Sequence, residues 1–196
     1  MTCAGEGNKV KYSMLTIDKV LKLGKITSTQ TVAKEIAPIF PKENILITAA
    51  TQTQGKGQYE RTWSSNPGGL YLTLLLRPKK MASLSDLSYQ TGKALARTLE
   101  ADFGLKTQIK LPNDVLALSG KTYKKIAGIL IESQSTNKNL NLLLVGVGIN
   151  VNNKLPADLE ATSIKQIKKS AQNIDALLEN FLKNFAEEYL LWQNSI

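Results

Sequence analysis

Two apolar segments joined by a short polar connection constrain the fold of this chain more than any other feature. Residues 125–132 and 140–147 each have the length and composition of a buried strand. The polar residues 133–139 between them predict a connecting turn. Strand-like composition recurs in four other segments, namely 45–50, 69–76, 107–111 and 115–118.

The predicted helices are fewer. Spacings of three and four between apolar residues predict helices over 84–99 and 173–193. Ser28 or Thr29 provides a polar start for a shorter helix over 31–36. Because predicted strands outnumber helices and many are adjacent, we expect an α+β fold, with a mostly antiparallel mixed sheet and helices packed on it.

Length and composition indicate one compact unit. The chain has 196 residues, of which 42% are hydrophobic, and it contains neither internal repeats nor a Pro/Gly-rich linker. No apolar run approaches the ~20 residues needed to cross a bilayer, and the polar start lacks the apolar segment of a signal peptide. A single cysteine, Cys3, excludes an internal disulfide, so we expect a cytoplasmic protein.

The charge balance limits the possible chemistry. The formal net charge is +9, which suggests either a nucleic acid or another acidic partner. The lysines are scattered and aromatic residues are only 6%, so the pattern favours an acidic partner or substrate over nucleic acid. Histidine is absent, which excludes Ser-His and Cys-His nucleophile pairs and His-based zinc sites.

Residues 51–63 form the segment most suggestive of ligand binding. Gly55 and Gly57 allow backbone N–H groups to approach an anion closely. Lys56 and Arg61 add positive charge, and Trp63 adds a flat apolar surface. The combination suits a phosphate-bearing ligand with an aromatic or apolar part, although a surface loop without a ligand can have the same composition.

Five short motifs occur in order along the chain. They are Ser28-Thr-Gln30, Gly55 to Trp63, Lys110-Leu-Pro-Asn-Asp114, Lys125-Ile-Ala-Gly-Ile-Leu130 and Gly146-Val-Gly-Ile-Asn150. Together they resemble the catalytic domain of bacterial biotin protein ligases, whose pattern is Ser-Thr-Asn, Gly-Arg-Gly-Arg-x-Gly-Arg-x-Trp, Lys-Trp-Pro-Asn-Asp, Lys-x-Ala-Gly-Ile-Leu and Gly-x-Gly-Ile-Asn. Residues 161–164 also resemble the family's Ala-Thr-Ser-Leu. Each motif is weak alone, but five in order form a specific signal.

This resemblance implies a class II synthetase-like fold, the biotin–lipoate ligase catalytic fold, over residues 25–196. Residues 1–24 are then a lead-in without a DNA-binding domain, and no C-terminal β-barrel domain is expected. The family uses ATP and Mg²⁺ to activate biotin as biotinyl-5′-AMP, and then transfers the biotinyl group to a carrier lysine.

The implied partner is the biotin carboxyl carrier protein of acetyl-CoA carboxylase or of a similar biotin-dependent enzyme. We expect no DNA partner, because residues 1–24 are too few for a DNA-binding domain, and no membrane partner; a monomer and a homodimer both stay open.

Lys125 is the leading catalytic candidate by this resemblance. When the biotin carboxylate attacks an α-phosphate, two anions meet, and fixed cations and N–H dipoles lower the barrier. The family match places Lys125 between these two groups, whereas its alternative is a solvated edge-strand lysine. Arg61 is a candidate for diphosphate contact. Asp114 is a candidate for orienting a donor, for holding Mg²⁺ through water or for deprotonating the acceptor lysine, although turn formation alone would explain it.

The resemblance also assigns residues to each ligand. The candidate biotin contacts are Ser28, Thr29, Gln30, Gln52, Lys56, Gly57, Gln58, Lys125, Gly128 and Gly146. The candidate ATP contacts are Gly55, Lys56, Gln58, Arg61, Trp63, Lys110, Asn113, Lys125 and Asn150. No side-chain cluster of metal ligands is expected; Mg²⁺ would be held by ATP phosphates, with Asn113 or Asp114 as candidates for its shell.

Several of these assignments compete with a purely structural role. Ser28 or Thr29 would be explained by helix capping alone. Core packing is the alternative for Trp63, and a bulge or close strand packing is the alternative for Gly128 and Gly146.

The glycine loop departs from the family pattern. The residues at 56, 58, 59 and 60 are Lys56, Gln58, Tyr59 and Glu60, where the family usually has Arg, Arg, any residue and Gly. Lysine cannot form arginine's bidentate fork on a phosphate, and the loss of a glycine at position 60 is expected to stiffen the loop. We therefore expect activity with weaker retention of the adenylate.

Three other functions are alternatives to biotin ligation. Lipoate ligases and octanoyltransferases share the fold, but they typically carry a histidine and an Arg-Arg-x-Ser-Gly-Gly-Gly pattern, which this sequence lacks. A degenerate ligase that binds biotin without catalysis is the second alternative. A basic RNA-binding module is the third.

Overall fold

The computed structural model describes residues 9–12, 15–59, 61–79, 81, 83–134 and 141–195. Its strands are β1 Val10–Tyr12, β2 Leu15–Ile17, β3 Lys19–Ile26, β4 Ile45–Gln52, β5 Leu70–Leu76, β6 Thr107–Lys110, β7 Asp114–Ser119, β8 Thr122–Gln134 and β9 Leu142–Ile149. Its helices are α1 Thr29–Ile36, α2 Leu84–Phe103, α3 Ile164–Lys168 and α4 Ile174–Gln193.

Seven of the described strands form one mixed sheet in the order β3-β4-β5-β9-β8-β7-β6. β3 and β4 are parallel, and every other neighbouring pair in this sheet is antiparallel. β1 and β2 form a separate antiparallel pair. The predicted α+β fold with a mostly antiparallel mixed sheet is therefore confirmed.

The main core lies between one face of the sheet and helices α2 and α4. Phe181 and Phe185 of α4 are fully buried there, as are Leu95 and Leu99 of α2. Full burial of each such side chain contributes about 1.5–3 kcal/mol. A smaller cluster on the opposite face packs α1 against β4, and it includes Ala33. The candidate site lies beside α1, on this second face.

The N-terminal part of the sheet was not predicted. β3, Lys19–Ile26, runs across the boundary expected between residues 24 and 25, and Ile17 just before it is fully buried in the core. The residues preceding position 25 therefore belong to the folded unit from at least Leu15 onward.

The predicted short helix starts earlier than expected. α1 begins at Thr29, and Ser28 is its N-cap, with Oγ accepting a hydrogen bond from Gln30 N at 3.2 Å. β8 continues to Gln134, so residues 133 and 134 are strand and not turn. The rest of the predicted turn lies outside the described residues, as does Glu60.

Candidate active site

A cleft of about 420 Å³ lies on the face of the sheet beside α1. Except for Gly55 and Asn150, every predicted site residue lines it. These residues come from α1, β4, the loop after β4, the β6–β7 turn, β8 and β9. The structure therefore brings together segments that are more than a hundred positions apart in the sequence.

Residues 55–59 and 61–62 belong to a hairpin loop over the cleft. Trp63 N donates to Gly55 O at 2.8 Å and Gly57 N donates to Arg61 O at 2.7 Å, which closes the hairpin. A Cβ at Gly55 would lie 2.4 Å from Trp63 O. Glycine is therefore required at position 55, because the returning chain passes close to it at Trp63. Tyr59 has a φ of +52° at the tip, and this residue is 85% exposed.

Lys125 and Asp114 form an ion pair in the cleft. Lys125 Nζ lies 2.7 Å from Asp114 Oδ1, and the two side chains are 35% and 22% exposed. Nζ also lies 5.2 Å from the centroid of the Trp63 ring, within range of a cation–π interaction. Because β8 lies between β7 and β9, the alternative of a solvated edge-strand lysine is wrong for Lys125.

A β-bulge turns Lys125 toward the cleft. Val115 pairs with Ala127, but the next residue of β7, Leu116, pairs with Lys125, so Ile126 is the extra residue in β8. Ile126 and Ala127 are both fully buried in the core, whereas Gly128 lines the cleft. Strict alternation would place Lys125 on the opposite face from Gly128. The bulge lets both residues face the cleft.

Glycines on β8 and β9 make room for other side chains of the chain. Gly128 and Gly148 are cross-strand partners, and a Cβ on either would lie 2.6–2.7 Å from the Trp63 indole. A Cβ on Gly146 would lie 2.7 Å from Gln30 Oε1. The sheet surface at Gly128, a candidate biotin contact, is thus covered by Trp63. Gly148 was not predicted, although it lies within the fifth motif.

Four residues at the base of the cleft form a hydrogen-bonded group that we call the polar floor: Thr29, Gln30, Gln52 and Thr73. Thr29 donates to Gln52 Oε1 through its backbone N at 2.7 Å and through its hydroxyl at 3.2 Å. The Thr73 hydroxyl lies 2.9 Å from both Thr29 Oγ1 and Gln30 Oε1. Sequence reasoning missed Thr73, whose only signal is a single threonine among the leucines and the tyrosine of strand β5.

Glu132 and Lys34 extend the polar floor away from the cleft. Gln30 Nε2 donates to Glu132 Oε2 at 2.8 Å, and Lys34 Nζ lies 2.7 Å from Glu132 Oε1. Burial alone would raise the pKa of Glu132. Hydrogen bonds from Lys34 and Gln30, with the charges of Lys34 and Lys56, outweigh burial and hold that pKa below its ordinary value.

Asn113 and Asn150 are tied to neighbouring backbone. Asn113 Nδ2 donates to Ile129 O, and Asn113 O accepts from Ile129 N, both at 2.9 Å. Asn150 is buried, and its Oδ1 accepts from Asn153 Nδ2 at 3.1 Å. Asn150 lines a smaller cavity of about 230 Å³, which shares Thr62, Trp63 and Lys125 with the cleft. Lys125 therefore stands where two adjoining cavities meet.

Metal-binding and membrane-spanning features can be assessed for the part of the chain that the structure describes. There, no three His, Cys, Asp or Glu side chains are grouped closely enough to hold a metal ion. None of the described helices combines the length and the apolar character needed to cross a bilayer.

Comparison with known proteins identifies the family. The chain belongs to the biotin/lipoate A/B protein ligase family, whose sequence model matches residues 23–150. It is 35% identical over 173 residues to the bifunctional ligase/repressor BirA of Bacillus spizizenii. This match covers 84% of this chain and 51% of that protein. The chain thus spans about half the length of the curated relatives that it matches.

Solved structures of biotin protein ligases also match this chain. The biotin protein ligase of Aquifex aeolicus in complex with biotin and ATP matches with a TM-score of 0.76 and 29% identity, over 89% of this chain and 72% of that chain. The Leishmania major biotin protein ligase in complex with biotinyl-5-AMP matches with a TM-score of 0.70 and 25% identity, over 88% and 75%. The resemblance to biotin protein ligases and the predicted catalytic fold are confirmed.

Proposed function

We propose that this protein is an ATP-dependent biotin ligase that forms biotinyl-5′-AMP and transfers the biotinyl group to a lysine of a biotin carboxyl carrier protein. The observation that carries the proposal is the position of Lys125 at the junction of two adjoining cavities. A carboxylate in the cleft and a nucleotide in the smaller cavity would both reach its ammonium group. A biotin carrier, and not DNA or a membrane, is the proposed partner.

The first step, formation of biotinyl-5′-AMP, would depend on Lys125 and on the residues that hold it in place. A carboxylate oxygen of biotin attacks the α-phosphorus of ATP, the bond from phosphorus to the bridging oxygen breaks, and diphosphate leaves. Lys125 would neutralise both reacting anions and the charge that develops between them. Its ion pair with Asp114 holds the ammonium group within the cleft, so little reorganisation precedes the reaction.

Mg²⁺, the proposed cofactor, would shield the charge of the phosphates. Asn113 and Asp114 supply oxygen atoms at the β6–β7 turn, which is the ligand type that Mg²⁺ prefers. Asn113 Nδ2 already donates to Ile129 O, so the amide oxygen is the atom that remains for such a contact. Lys110 and Arg61 also line the cleft, and we assign them to the phosphates.

The second step transfers the biotinyl group. The Nζ of the carrier lysine attacks the carbonyl carbon, the bond from that carbon to the phosphate oxygen breaks, and AMP leaves. Asp114 would accept the proton that the attacking amine loses. The hairpin loop and the polar floor would hold the adenylate until the carrier arrives, with the amide oxygen of Gln30 facing an N–H group of the biotin ring.

Labelled biotin, MgATP and a purified biotin carrier domain test the proposal directly. We expect label on the carrier domain, dependent on ATP and absent from a carrier whose acceptor lysine is replaced by arginine. A parallel reaction with labelled lipoate and a lipoyl domain should give no product. Product with lipoate alone would redirect the assignment to the lipoyl enzymes. Biotin binding without adenylate would indicate a non-catalytic biotin-binding protein.

A DNA-binding assay completes this test, because the curated relatives are named as both ligase and repressor. The expectation that this chain does not bind DNA stays a prediction. Sequence-specific binding at physiological salt would overturn it.

A further inference from the structure

We infer that Glu132 is a positioning residue for biotin binding, which fixes the orientation of the Gln30 amide and thereby the acceptors that the polar floor presents. This inference rests on the proposed function and adds a residue to it. Glu132 acts through Gln30, on the side of Gln30 away from Thr73.

The chemistry of a carboxylate decides the orientation of Gln30. An ionised carboxylate only accepts hydrogen bonds, so the group of Gln30 that lies 2.8 Å from Glu132 Oε2 must be the NH₂ group. The amide oxygen then lies between Thr73 and Gly146, both of which line the cleft. Thr73 uses one lone pair of this oxygen, and the second is left for an N–H group of a ligand.

A reversed amide would present the wrong groups to biotin. The NH₂ group of Gln30 would then face Thr73 and the cleft, and it would oppose the N–H groups of the biotin ring. Donors that face donors remain unpaired, and because Gln30 is buried, this loss of pairing weakens binding. Glu132 prevents this reversal, because the amide oxygen of Gln30 would be placed against a carboxylate oxygen.

Lys34 keeps Glu132 in the ionised form that this role needs. The charged groups that face Glu132 are Lys34 from α1 and Lys56 from the hairpin loop, whereas its β9 neighbour Leu144 is apolar. Lys34 makes the shortest of the polar contacts to Glu132 that the structure describes, at 2.7 Å. Its removal would raise the pKa of Glu132 toward the value that burial favours.

The first test replaces Glu132 with its neutral isostere. In Glu132→Gln the amide at 132 both donates and accepts, so Gln30 is free to reverse. We expect the KM for biotin to rise about tenfold, which is about 1.4 kcal/mol. The kcat for adenylate formation and the KM for ATP should stay within about twofold of wild type. A KM for biotin within twofold of wild type would overturn the inference.

The second test uses pH and does not depend on how Glu132→Gln folds. In Lys34→Met the biotin KM should begin to rise at a higher pH than in wild type as the pH falls, because Glu132 protonates earlier. Lys34→Arg should restore the wild-type profile. Lys22→Met is the matched control, since it removes the exposed ion pair with Asp175 outside the cleft. Coincident profiles for Lys34→Met and Lys22→Met would contradict the role given to Glu132.

Calorimetric titration with biotin alone separates this inference from the proposed function. A wild-type protein that binds biotin but forms no adenylate would refute ligation, and the Glu132 comparison would still be made on the dissociation constant. A wild-type protein that forms adenylate while Glu132→Gln binds biotin normally would refute only the positioning role. A wild-type protein that binds no biotin would overturn both.

Discussion

The two sides of the candidate site are held in different ways. On one side, which we call the sheet wall, Lys125 is held by Asp114 and Trp63, and Trp63 in turn covers Gly128 and Gly148. On the other side, the hairpin loop is closed by hydrogen bonds between backbone groups, and its tip residue Tyr59 is largely exposed. Under the proposed function, the wall would hold the reacting groups in place, whereas the loop would close over a bound ligand and release it.

The largest expected effect comes from the sheet wall. Lys125→Ala should lower the rate of adenylate formation by at least about 100-fold, since removal of one transition-state donor costs about 3–4 kcal/mol. Lys125→Arg should also fail, because a planar guanidinium cannot replace a compact charge between two ligands. Single-turnover formation of biotinyl-5′-AMP is the measurement, and Lys124→Ala, the exposed neighbour, is the control. Near-normal turnover in Lys125→Ala would contradict the catalytic role proposed for the sheet wall.

The second prediction concerns closure of the hairpin loop. Biotin and MgATP together should raise the melting temperature more than the sum of their separate effects, because the loop would close over the site fully only when both anionic groups are bound. Saturation at about 100 times the dissociation constant stabilises by about 2.7 kcal/mol, roughly 5–10 °C for a chain of this size. Thermal scans with each ligand alone, with both, and with lipoate in place of biotin measure this. Additive shifts would show that the loop is already closed without ligands.

Sequence analysis predicted the strands from β4 to β9. Of these, β5 and β9 lie at the centre of the seven-stranded sheet and are largely apolar. β3 was missed because lysines such as Lys22 interrupt its apolar residues and leave no continuous apolar pattern. α3 was missed because five residues are too few for a periodic pattern.

Site residues could be predicted from the sequence where they lie in short motifs. They could not be predicted where the fold brings distant segments together. Lys125 and Asp114 were predicted from short motifs, but their 2.7 Å ion pair depends on the bulge at Ile126, which no local pattern indicates. Glu132 and Lys34 are 98 positions apart in the sequence, and only the packing of α1 on the sheet brings them together. The types of the site residues could therefore be predicted from the sequence, whereas the orientations of their side chains could not.

A smaller effect is expected from the loop residue Gln58. The family usually has an arginine here, and a neutral amide binds anionic groups less strongly than a charged donor, by about 1–2 kcal/mol. Gln58→Arg should therefore slow release of biotinyl-5′-AMP about tenfold and leave its formation unchanged, since the sheet wall is intact. Trapped-adenylate release and labelling of serum albumin measure the two consequences. If neither changes, Tyr59 becomes the candidate that keeps the loop closed.

The smallest effect should separate the two reaction steps, adenylate formation and transfer to the carrier, by their response to salt. The formal net charge of +9 should attract an acidic carrier, and added salt screens this encounter over distances beyond about 10 Å at 0.1 M. Carrier biotinylation at subsaturating carrier should therefore slow roughly threefold between about 0.05 and 0.5 M NaCl. Adenylate formation at saturating biotin and ATP should change less, because the contacts at Lys125 are short and partly buried. Equal salt sensitivity of the two steps would mean that the charges inside the cleft, and not the surface charge that meets the carrier, govern both.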